Sequence, residues 1–269
     1  LDKLDKSPEL INFLSTLSLQ CFTNEYIYGS TAKEIQLVDH LEKEIAQTIS
    51  RSEQPEVLKV ICLATYRRLC QFSWCQKLTV LDHFTEIKSR LITEPLAERA
   101  IAKEIPTLGE ISDSISTMVR DQYETNPYPR WIKPGISGKA KRIDEICNEV
   151  SLRLQSESIK KVNAPAILVA GCGTGQHSIG TALRFSSCHV TAVDLSLASL
   201  AYAKRKTTEL KSTSIEHFQA DILTLDSLEQ KFDIIETTGV LHHMDIPMAG
   251  WKVLTKLLKR GGLMKVALY

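Results

Sequence analysis

Apolar residues recur every three to four positions along the first part of the chain, which is the spacing of amphipathic helices. The predicted helices include the sets Leu10-Leu14-Leu17 and Val38-Leu41-Ile45 and the ranges 57–69, 79–91 and 94–103. The stretch 57–69 is almost wholly apolar and predicts a central buried helix. These helices show no fixed period, so the pattern predicts an all-α domain over residues 1–115 without establishing a regular repeat array.

Farther along the chain, short apolar runs alternate with helical patterns. Five strands are predicted at 167–170, 188–193, 215–219, 232–237 and 263–269. The last predicted helix begins near Asp245 and Pro247 and ends at Gly261-Gly262, which are typical start and stop signals. This alternation predicts an α/β fold whose parallel sheet is covered on both faces and binds ligands at the carboxyl ends of its strands.

The first of these strands leads directly into Gly171-Cys172-Gly173-Thr174-Gly175. Alternate glycines permit tight turns and close approach of a ligand to the backbone, and the helix that follows directs free N–H groups toward the ligand. A glycine motif alone is weak evidence. Asp194 strengthens it, because it ends the second strand about twenty residues later, where nucleotide-binding folds place a carboxylate on ribose hydroxyls. Asp194 is also compatible with helix capping near Ser196.

The chain resembles class I S-adenosylmethionine-dependent methyltransferases over residues 137–269. The resemblance rests on the glycine loop, Asp194, Gln219-Ala220-Asp221-Ile222, Phe232-Asp233-Ile234-Ile235, Gly239-Val240-Leu241-His242-His243 and Leu258-Lys259-Arg260-Gly261-Gly262. It implies a Rossmann-like sheet and S-adenosylmethionine as cofactor. It further implies that the glycine loop contacts the methionine and sugar, that Asp194 binds the ribose, and that Asp221 and Ile222 border the adenine.

One position departs from the family pattern. Val169 stands two positions before the first glycine, where the family usually has an acidic residue. The methionine ammonium is therefore expected to find acceptors elsewhere, for example at backbone carbonyls around Gly171 and Gly239.

A dinucleotide-dependent oxidoreductase has a similar strand, turn and carboxylate. Against this alternative, His177 stands where the third glycine of the dinucleotide fingerprint would allow close helix packing. No hydride-transfer constellation stands out either.

A proline-rich segment at residues 116–136 joins the two parts. It contains Tyr123-Glu124-Thr125-Asn126-Pro127-Tyr128-Pro129-Arg130-Trp131, and its three prolines within eight residues predict a stiff, extended strap. One interpretation is an interdomain linker whose aromatic rings are packing anchors. The other is a strap across the cofactor mouth, with Tyr123, Asn126 and Arg130 against the site.

The strap supports a narrower resemblance. Together with Asn24-Glu25-Tyr26-Ile27-Tyr28 and Val169-Ala170-Gly171, it is similar to bacterial methyltransferases that have tetratricopeptide-type helical repeats upstream. That resemblance implies repeats before Leu1. The predicted cofactor-binding residues are Gly171, Cys172, Gly173, Thr174, Gly175, Asp194, Leu195, Asp221, Ile222, Gly239, Tyr123, Asn126 and Arg130.

His242 and His243 are the candidate catalytic residues. They follow the fourth predicted strand, and an imidazole titrates near neutrality, so either is a candidate general base if the acceptor is protonated. The alternative is that they shape the pocket wall. The methyl acceptor, a protein side chain or a small molecule, is not identified by the sequence.

Charge and cysteine content limit the setting. The chain has 33 basic and 32 acidic residues, which gives no electrostatic footprint for nucleic acid or an anionic membrane. Seven scattered cysteines indicate buried thiols in a reducing compartment, so a cytoplasmic protein is expected. Cys70 and Cys75 lack a second pair at zinc-ligand spacing, so no metal is expected.

The last predicted strand ends the sequence, whereas the family sheet has seven strands. The sheet is therefore expected to be incomplete, with residues 263–269 as an apolar edge that pairs with a second copy or is covered. The helical domain is expected to bind a protein partner. A cofactor-binding interaction module without catalysis remains the alternative to an enzyme.

Overall fold

The computed structural model describes residues 7–135, 138–212 and 214–268. Contacts divide the chain into two units, Leu1–Arg99 and Ala100–Tyr269, and this division falls earlier than the domain boundary expected at residue 115. Each unit has its own hydrophobic core.

The first unit is helical. Its helices are α1 (Pro8–Thr23), α2 (Ala32–Ser50), α3 (Val57–Ala64) and α4 (Thr85–Lys88), and α5 (Glu94–Ala102) spans the division in sequence. Ser7 caps α1 by accepting the Leu10 N–H at 3.3 Å, and Thr31 forms a capping box with Glu34 at the start of α2. The helices bury apolar side chains that include Ile45, Ile61 and Leu63.

Two helix predictions in this unit were wrong in detail. The helix expected over 57–69 ends at Ala64, where the Tyr26 hydroxyl lies 3.1 Å from the carbonyl oxygens of Ala64 and Arg67. The helix expected over 79–91 is divided into a 3-10 turn at Thr79–Leu81, α4, and a π-helical turn at Ser89–Thr93. Apolar spacing of three to four residues fits all three helix types, so it identifies the buried positions but not the turn type.

The second unit contains a six-stranded parallel sheet. Its strands are β1 (Thr107–Leu108), β2 (Ala166–Ala170), β3 (His189–Asp194), β4 (Ile215–Ala220), β5 (Phe232–Thr238) and β6 (Leu258–Ala267), in the order β1-β4-β3-β2-β5-β6. The helices are α6 (Ser114–Thr125), α7 (Ile143–Glu149), α8 (Glu157–Lys160), α9 (Gln176–Arg184), α10 (Leu197–Glu209) and α11 (Pro247–Leu257).

Alternate residues of β2 enter two different cores. Ile167 and Val169 pack in one cluster, and Leu168 and Ala170 pack in the other. Because successive strand residues point to opposite faces, the sheet is covered on both sides. The predicted α/β, Rossmann-like fold with a helical N-terminal region is confirmed.

The sheet has one more strand than the five predicted. β1 lies inside the range expected to be helical, and it pairs in parallel with β4. The Thr107 hydroxyl donates to the Gln219 side-chain oxygen at 3.0 Å, which adds a side-chain bond to the ladder. Two residues are too few to produce a detectable period, so the pattern could not indicate β1.

The final strand also begins earlier than residue 263. Leu258 already pairs with Phe232, and the register shifts between Phe232 and Ile234. Gly262 lies in this irregular stretch of β6. A Cβ at this position would lie 2.8 Å from the Asp233 carbonyl oxygen, so only glycine fits here. Gly262 therefore permits close strand approach, and the glycine pair lies within β6 instead of marking the end of α11 at Leu257. β6 is an edge strand of the sheet, as expected; Tyr269 lies outside the described residues.

The strap is shorter than predicted. Tyr123, Glu124 and Thr125 are the last residues of α6, so the extended path begins at Asn126. Asp113 starts this helix by accepting the Ser116 N–H at 2.8 Å. The residue before a proline disfavours helical geometry, so Asn126-Pro127 ends it.

Candidate functional site

A cavity of about 530 Å³ lies at the carboxyl edge of the sheet. This edge includes the switch point between β2 and β5, where the strand order reverses and open α/β sheets bind ligands. The lining residues are Ile115, Ser116, Val119, Tyr123, Tyr128, Pro129, Gly171, Cys172, Gly173, Thr174, Gln176, His177, Asp194, Leu195, Ser199, Ala220, Asp221, Ile222, Thr238, Gly239, Val240, His243, Met244 and Lys265.

The glycine loop forms the floor of this cavity. Gly173 has a φ of +53°, and a Cβ at that position would meet open space, so the backbone itself is accessible to a ligand. Gly175 has a φ of +86° and precedes α9, and its Cβ would lie 2.9 Å from the Cα of Ala203 in α10. The loop therefore needs glycine at one position for conformation and at the other also for helix packing.

Asp194 connects the loop to α10. One carboxylate oxygen accepts the Gly173 N–H at 2.7 Å, and the other accepts the Ser196 N–H at 3.0 Å. A carboxylate has about four acceptor sites, so acceptor capacity remains for a ligand hydroxyl. Burial raises the pKa of Asp194 and the Glu124 charge adds to the rise, while the N–H donors oppose it.

Two neighbouring loops complete the wall beyond Asp194. Asp221 is buried, and its side chain accepts the Leu223 N–H at 2.9 Å, which fixes the 3-10 turn that begins with Ile222. Leu195 also lines the cavity. Cys172 is buried as well, and burial raises the pKa of its thiol, so it is a neutral, small wall residue.

The strap is bonded to the glycine loop. The Trp131 indole donates to the Thr174 carbonyl at 2.9 Å, and the Thr174 hydroxyl donates to the Pro129 carbonyl at 2.7 Å. The Tyr202 hydroxyl of α10 donates to the Trp131 carbonyl. The segment 129–131 is thereby bonded both to the glycine loop and to α10.

Of the three strap residues expected at the site, Tyr123 lines the cavity. Arg130 is buried with its guanidinium 5.6 Å from the centre of the Tyr202 ring. Among the described residues, Asn126 and Arg130 are not part of the cavity wall, whereas Tyr128 and Pro129 are.

Helix α6 closes one side of the cavity with a single face. Ile115, Ser116, Val119 and Tyr123 follow helical spacing and all line the wall. At its far end, the Glu124 carboxylate accepts the N–H of Leu197 at 2.5 Å and of Ala198 at 3.0 Å. These are free donors in the first turn of α10, so a side chain from α6 caps α10.

A buried acid lies next to the switch point. Glu236 of β5 is 3% exposed and pairs in register with Val169 of β2. Its carboxylate contacts the Nε2 of His177 at 3.0 Å, the Arg184 guanidinium at 2.6 Å and the Thr181 hydroxyl. Burial alone would raise its pKa, but the hydrogen bonds from His177 and Thr181 and the Arg184 charge lower the pKa to about 2.

The two candidate bases differ in position. His243 lines the cavity, and burial together with the neighbouring His242 lowers its pKa, so the ring is neutral at neutral pH. His242 packs against it, with ring centres 4.1 Å apart, the rings tilted by 46° and both His242 nitrogens shielded from solvent. His243 is therefore part of the cavity wall as the described residues define it, and His242 is not.

The structure therefore assembles most of the residues selected from sequence around one cavity. Among the described residues, Gly175, Asn126, Arg130 and His242 are not in the cavity wall. Sequence reasoning missed the α6 face, His177, Lys265 and Glu236. The i, i+1, i+4, i+8 spacing of the α6 residues was a readable signal, whereas Glu236 and Lys265 become neighbours of the loop only through strand register.

Residues 167–262 match the family model described as "Methyltransferase domain". This segment contains the glycine loop, Asp194, Asp221 and both histidines. No helix among the residues that the structure describes is long and apolar enough to cross a membrane.

Two curated relatives of this segment have names that differ in the acceptor atom, which is nitrogen in one and oxygen in the other. The chain is 30% identical over 115 residues to (S)-coclaurine N-methyltransferase of Papaver somniferum, covering 43% of this chain and 32% of that protein. It is 29% identical over 134 residues to ubiquinone biosynthesis O-methyltransferase of Alkalilimnicola ehrlichii, covering 49% and 52%. The chain thus spans about a third to a half of the length of these two relatives.

One similar solved structure is magnesium protoporphyrin IX methyltransferase of Synechocystis PCC 6803 with bound SAH. It is 21% identical, with a TM-score of 0.39, and the match covers 53% of this chain and 68% of that one.

Proposed function

We propose that the second unit binds S-adenosylmethionine and transfers its methyl group to an acceptor. This proposal rests on the hydrogen bond from the Gly173 N–H to the Asp194 carboxylate in the wall of the cavity. Both residues lie inside the segment that matches the methyltransferase domain model. Asp194 is already oriented by two backbone donors, so its remaining acceptor sites have fixed directions.

The cavity residues fit an adenosyl group. Asp194 would accept a ribose hydroxyl, Asp221 and Ile222 would border the adenine, and the exposed backbone at Gly173 would allow close approach of the sugar and methionine. The residues proposed to contact the cofactor are the sequence-selected ones that line the cavity, with Tyr123 as the strap residue: Gly171, Cys172, Gly173, Thr174, Asp194, Leu195, Asp221, Ile222, Gly239 and Tyr123.

When bound, the cofactor supplies a methyl group on a sulfonium, which is already activated for displacement. The chain's own residues then have to orient donor and acceptor and exclude water, an effect worth roughly 7–11 kcal/mol in favourable cases. The α6 face, Tyr128 and Met244 surround the cavity and provide this enclosure. His243, neutral and in the wall, is the proposed proton acceptor for an acceptor that requires one.

We leave the acceptor at the level of a protein side chain or small molecule. The cytoplasm is the proposed location, because all seven cysteines are free thiols. The helical unit is proposed to bind a protein partner and to belong with upstream tetratricopeptide-type repeats, and β6 is proposed to pair with a further strand or a second copy.

Binding of S-adenosylhomocysteine, the demethylated product, tests the cofactor assignment. Asp194→Ala should weaken binding by about 1.5–3 kcal/mol, the usual range for hydrogen bonds to a charged group. Asp226→Ala removes an exposed carboxylate outside the cavity and should leave the affinity unchanged. Calorimetric titration measures all three proteins, and equal affinity in the wild type and Asp194→Ala would contradict the ribose contact.

Transfer itself requires a second measurement. Incubation with methyl-labelled S-adenosylmethionine and cell extract should label a component that the Asp194→Ala protein fails to label. Cofactor binding without any labelled product would support the non-catalytic interaction module instead.

A further inference from the structure

The order of strands predicts how an adenosyl ligand would lie along the sheet, if the proposed function holds. Asp221 follows β4, Asp194 ends β3, and the glycine loop follows β2. These strands are successive neighbours, and β5 comes next. A ligand with its base near Asp221 and its ribose on Asp194 would therefore direct its amino-acid end toward the gap between β2 and β5.

His177 and Glu236 lie at this place: Glu236 is on β5, opposite Val169 of β2. His177 belongs to the first turn of α9, directly after the glycine loop, and lines the cavity. Its side chain is 23% exposed, whereas the Glu236 side chain behind it is 3% exposed. A ligand in the cavity can therefore contact His177, whereas the Glu236 carboxylate bonded to it is buried.

The hydrogen bond between them determines which ring nitrogen can accept. Ionised Glu236 can only accept, so the Nε2 of His177 must carry the proton in their 3.0 Å contact. In the neutral ring this leaves Nδ1 with a lone pair. The Thr181 hydroxyl donates to the same Glu236 oxygen as His177, and Arg184 binds the other oxygen at 2.6 Å, so Glu236 is fixed in place.

We propose that His177, oriented by Glu236, binds the α-ammonium group of the cofactor through Nδ1. The Val169 side chain on β2 is apolar and cannot bind an ammonium group, whereas its register partner on β5 is Glu236. The negative charge needed near an ammonium thus comes from β5 and reaches the cavity through the imidazole. His177 is the binding residue and Glu236 is the positioning residue.

Three ligands separate this contact from general binding. S-adenosylhomocysteine has the whole amino-acid end, its decarboxylated analogue keeps the amine, and 5′-methylthioadenosine has neither charged group. His177→Phe keeps a ring but removes the acceptor. The variant should weaken the binding of S-adenosylhomocysteine and of its decarboxylated analogue about tenfold or more, as expected for loss of a hydrogen bond to a charged group. The affinity for 5′-methylthioadenosine should be unchanged.

Two further variants control for indirect effects. His177→Gln restores an acceptor oxygen and should recover part of the lost affinity. His189→Gln changes an exposed histidine at the start of β3, outside the cavity wall, and should have no effect. Melting temperatures with and without ligand show whether each variant is folded.

Each outcome decides a different question. If the wild type binds none of the three ligands, the proposed function itself fails. If the wild type binds but His177→Phe weakens all three equally, or none of them, the ammonium contact is wrong. Loss confined to S-adenosylhomocysteine would assign His177 to the carboxylate and would also overturn the proposal.

Discussion

Asp194 has a local structural role as well as its proposed binding role. Its carboxylate joins the Gly173 and Ser196 N–H groups, so both the capping and the ribose interpretations of this residue are compatible with its geometry. The raised pKa means that ionisation of Asp194 is less favourable in the ligand-free protein than for an ordinary aspartate. Ionised Asp194 therefore lowers the stability of the empty protein at neutral pH, relative to an aspartate with an ordinary pKa.

The same shift predicts how ligand affinity depends on pH. Ribose hydroxyls donate to the ionised carboxylate, so binding should be strongest above the pKa of Asp194 and weaken as pH falls through it. Because that pKa is raised, the loss should begin at a higher pH than for an ordinary aspartate. Calorimetric titration of 5′-methylthioadenosine between about pH 4 and 8 measures the profile.

Asp194→Asn provides the control for this profile. It lacks the titrating group, so its weaker binding should keep only the pH dependence of the ligand and of other residues. Parallel profiles in the two proteins would show that Asp194 does not couple to binding.

Residues joined by short sequence spacing were predictable from the chain alone. Gly171 to Gly175 and Asp194 follow two successive apolar runs, and their types match the chemistry of a nucleotide edge. Glu236 was not predictable as a partner of His177, because 59 residues separate them and only parallel pairing of β2 with β5 brings them together.

At the scale of elements, the Glu124 carboxylate joins the far end of α6 to the start of α10. Glu124 accepts two N–H groups at the start of α10, where the helix dipole also favours a negative charge. Glu124 thereby fixes the position of the face that contains Val119 and Tyr123.

Glu124→Gln should loosen α6. The amide retains one acceptor but loses the charge, so about 0.5–2 kcal/mol of capping free energy is at stake. We expect faster amide hydrogen exchange in residues 114–125 and weaker S-adenosylhomocysteine binding, measured by mass spectrometry and calorimetry.

Asp121→Asn is the matched control on the same helix. Its carboxylate is largely exposed and contacts Arg120 next to it, so exchange and affinity should stay at wild-type values. Equal behaviour of the two variants would mean that the Glu124 cap does not hold α6.

The elements that sequence predicted well are those long enough to show a period. β2 through β5 and α9 through α11 were located to within a few residues, whereas β1 and the start of β6 were not. β1 has two residues, and β6 begins directly after α11 at Leu258. Pairing with β4 and β5 defines these strands, and pairing is a long-range property.

At the scale of the whole molecule, the two units have separate cores. Leu63 is fully buried and packs only within the core of the first unit, as far as the described residues show. Leu63→Ala should lower the free energy of unfolding by about 2–5 kcal/mol through loss of apolar contact and cavity formation. S-adenosylhomocysteine affinity should stay within about twofold of wild type, because Leu63 belongs to a different core from the residues of the cavity. A twofold change is well below the 1.4 kcal/mol that corresponds to a tenfold change in affinity.

Urea unfolding and calorimetric titration at a temperature where the variant is folded would measure both quantities. A loss of affinity comparable to that of Asp194→Ala would contradict energetic independence of the cavity from the first core.

The pairing of Val169 with Glu236 has a historical consequence. Neighbouring strands lie about 4.8 Å apart, so acids at both positions would repel and one would have to be protonated. With an acid at neither position, Arg184 and His177 would lose their shared partner. If an ancestor had its acid on β2, as the family pattern implies, then every single-step route to the present arrangement passed through one of these two less stable intermediates. Under that history a return of the acid to β2 would pass through the same unstable intermediates, and lineages descended from this arrangement should retain the valine and the glutamate as a pair.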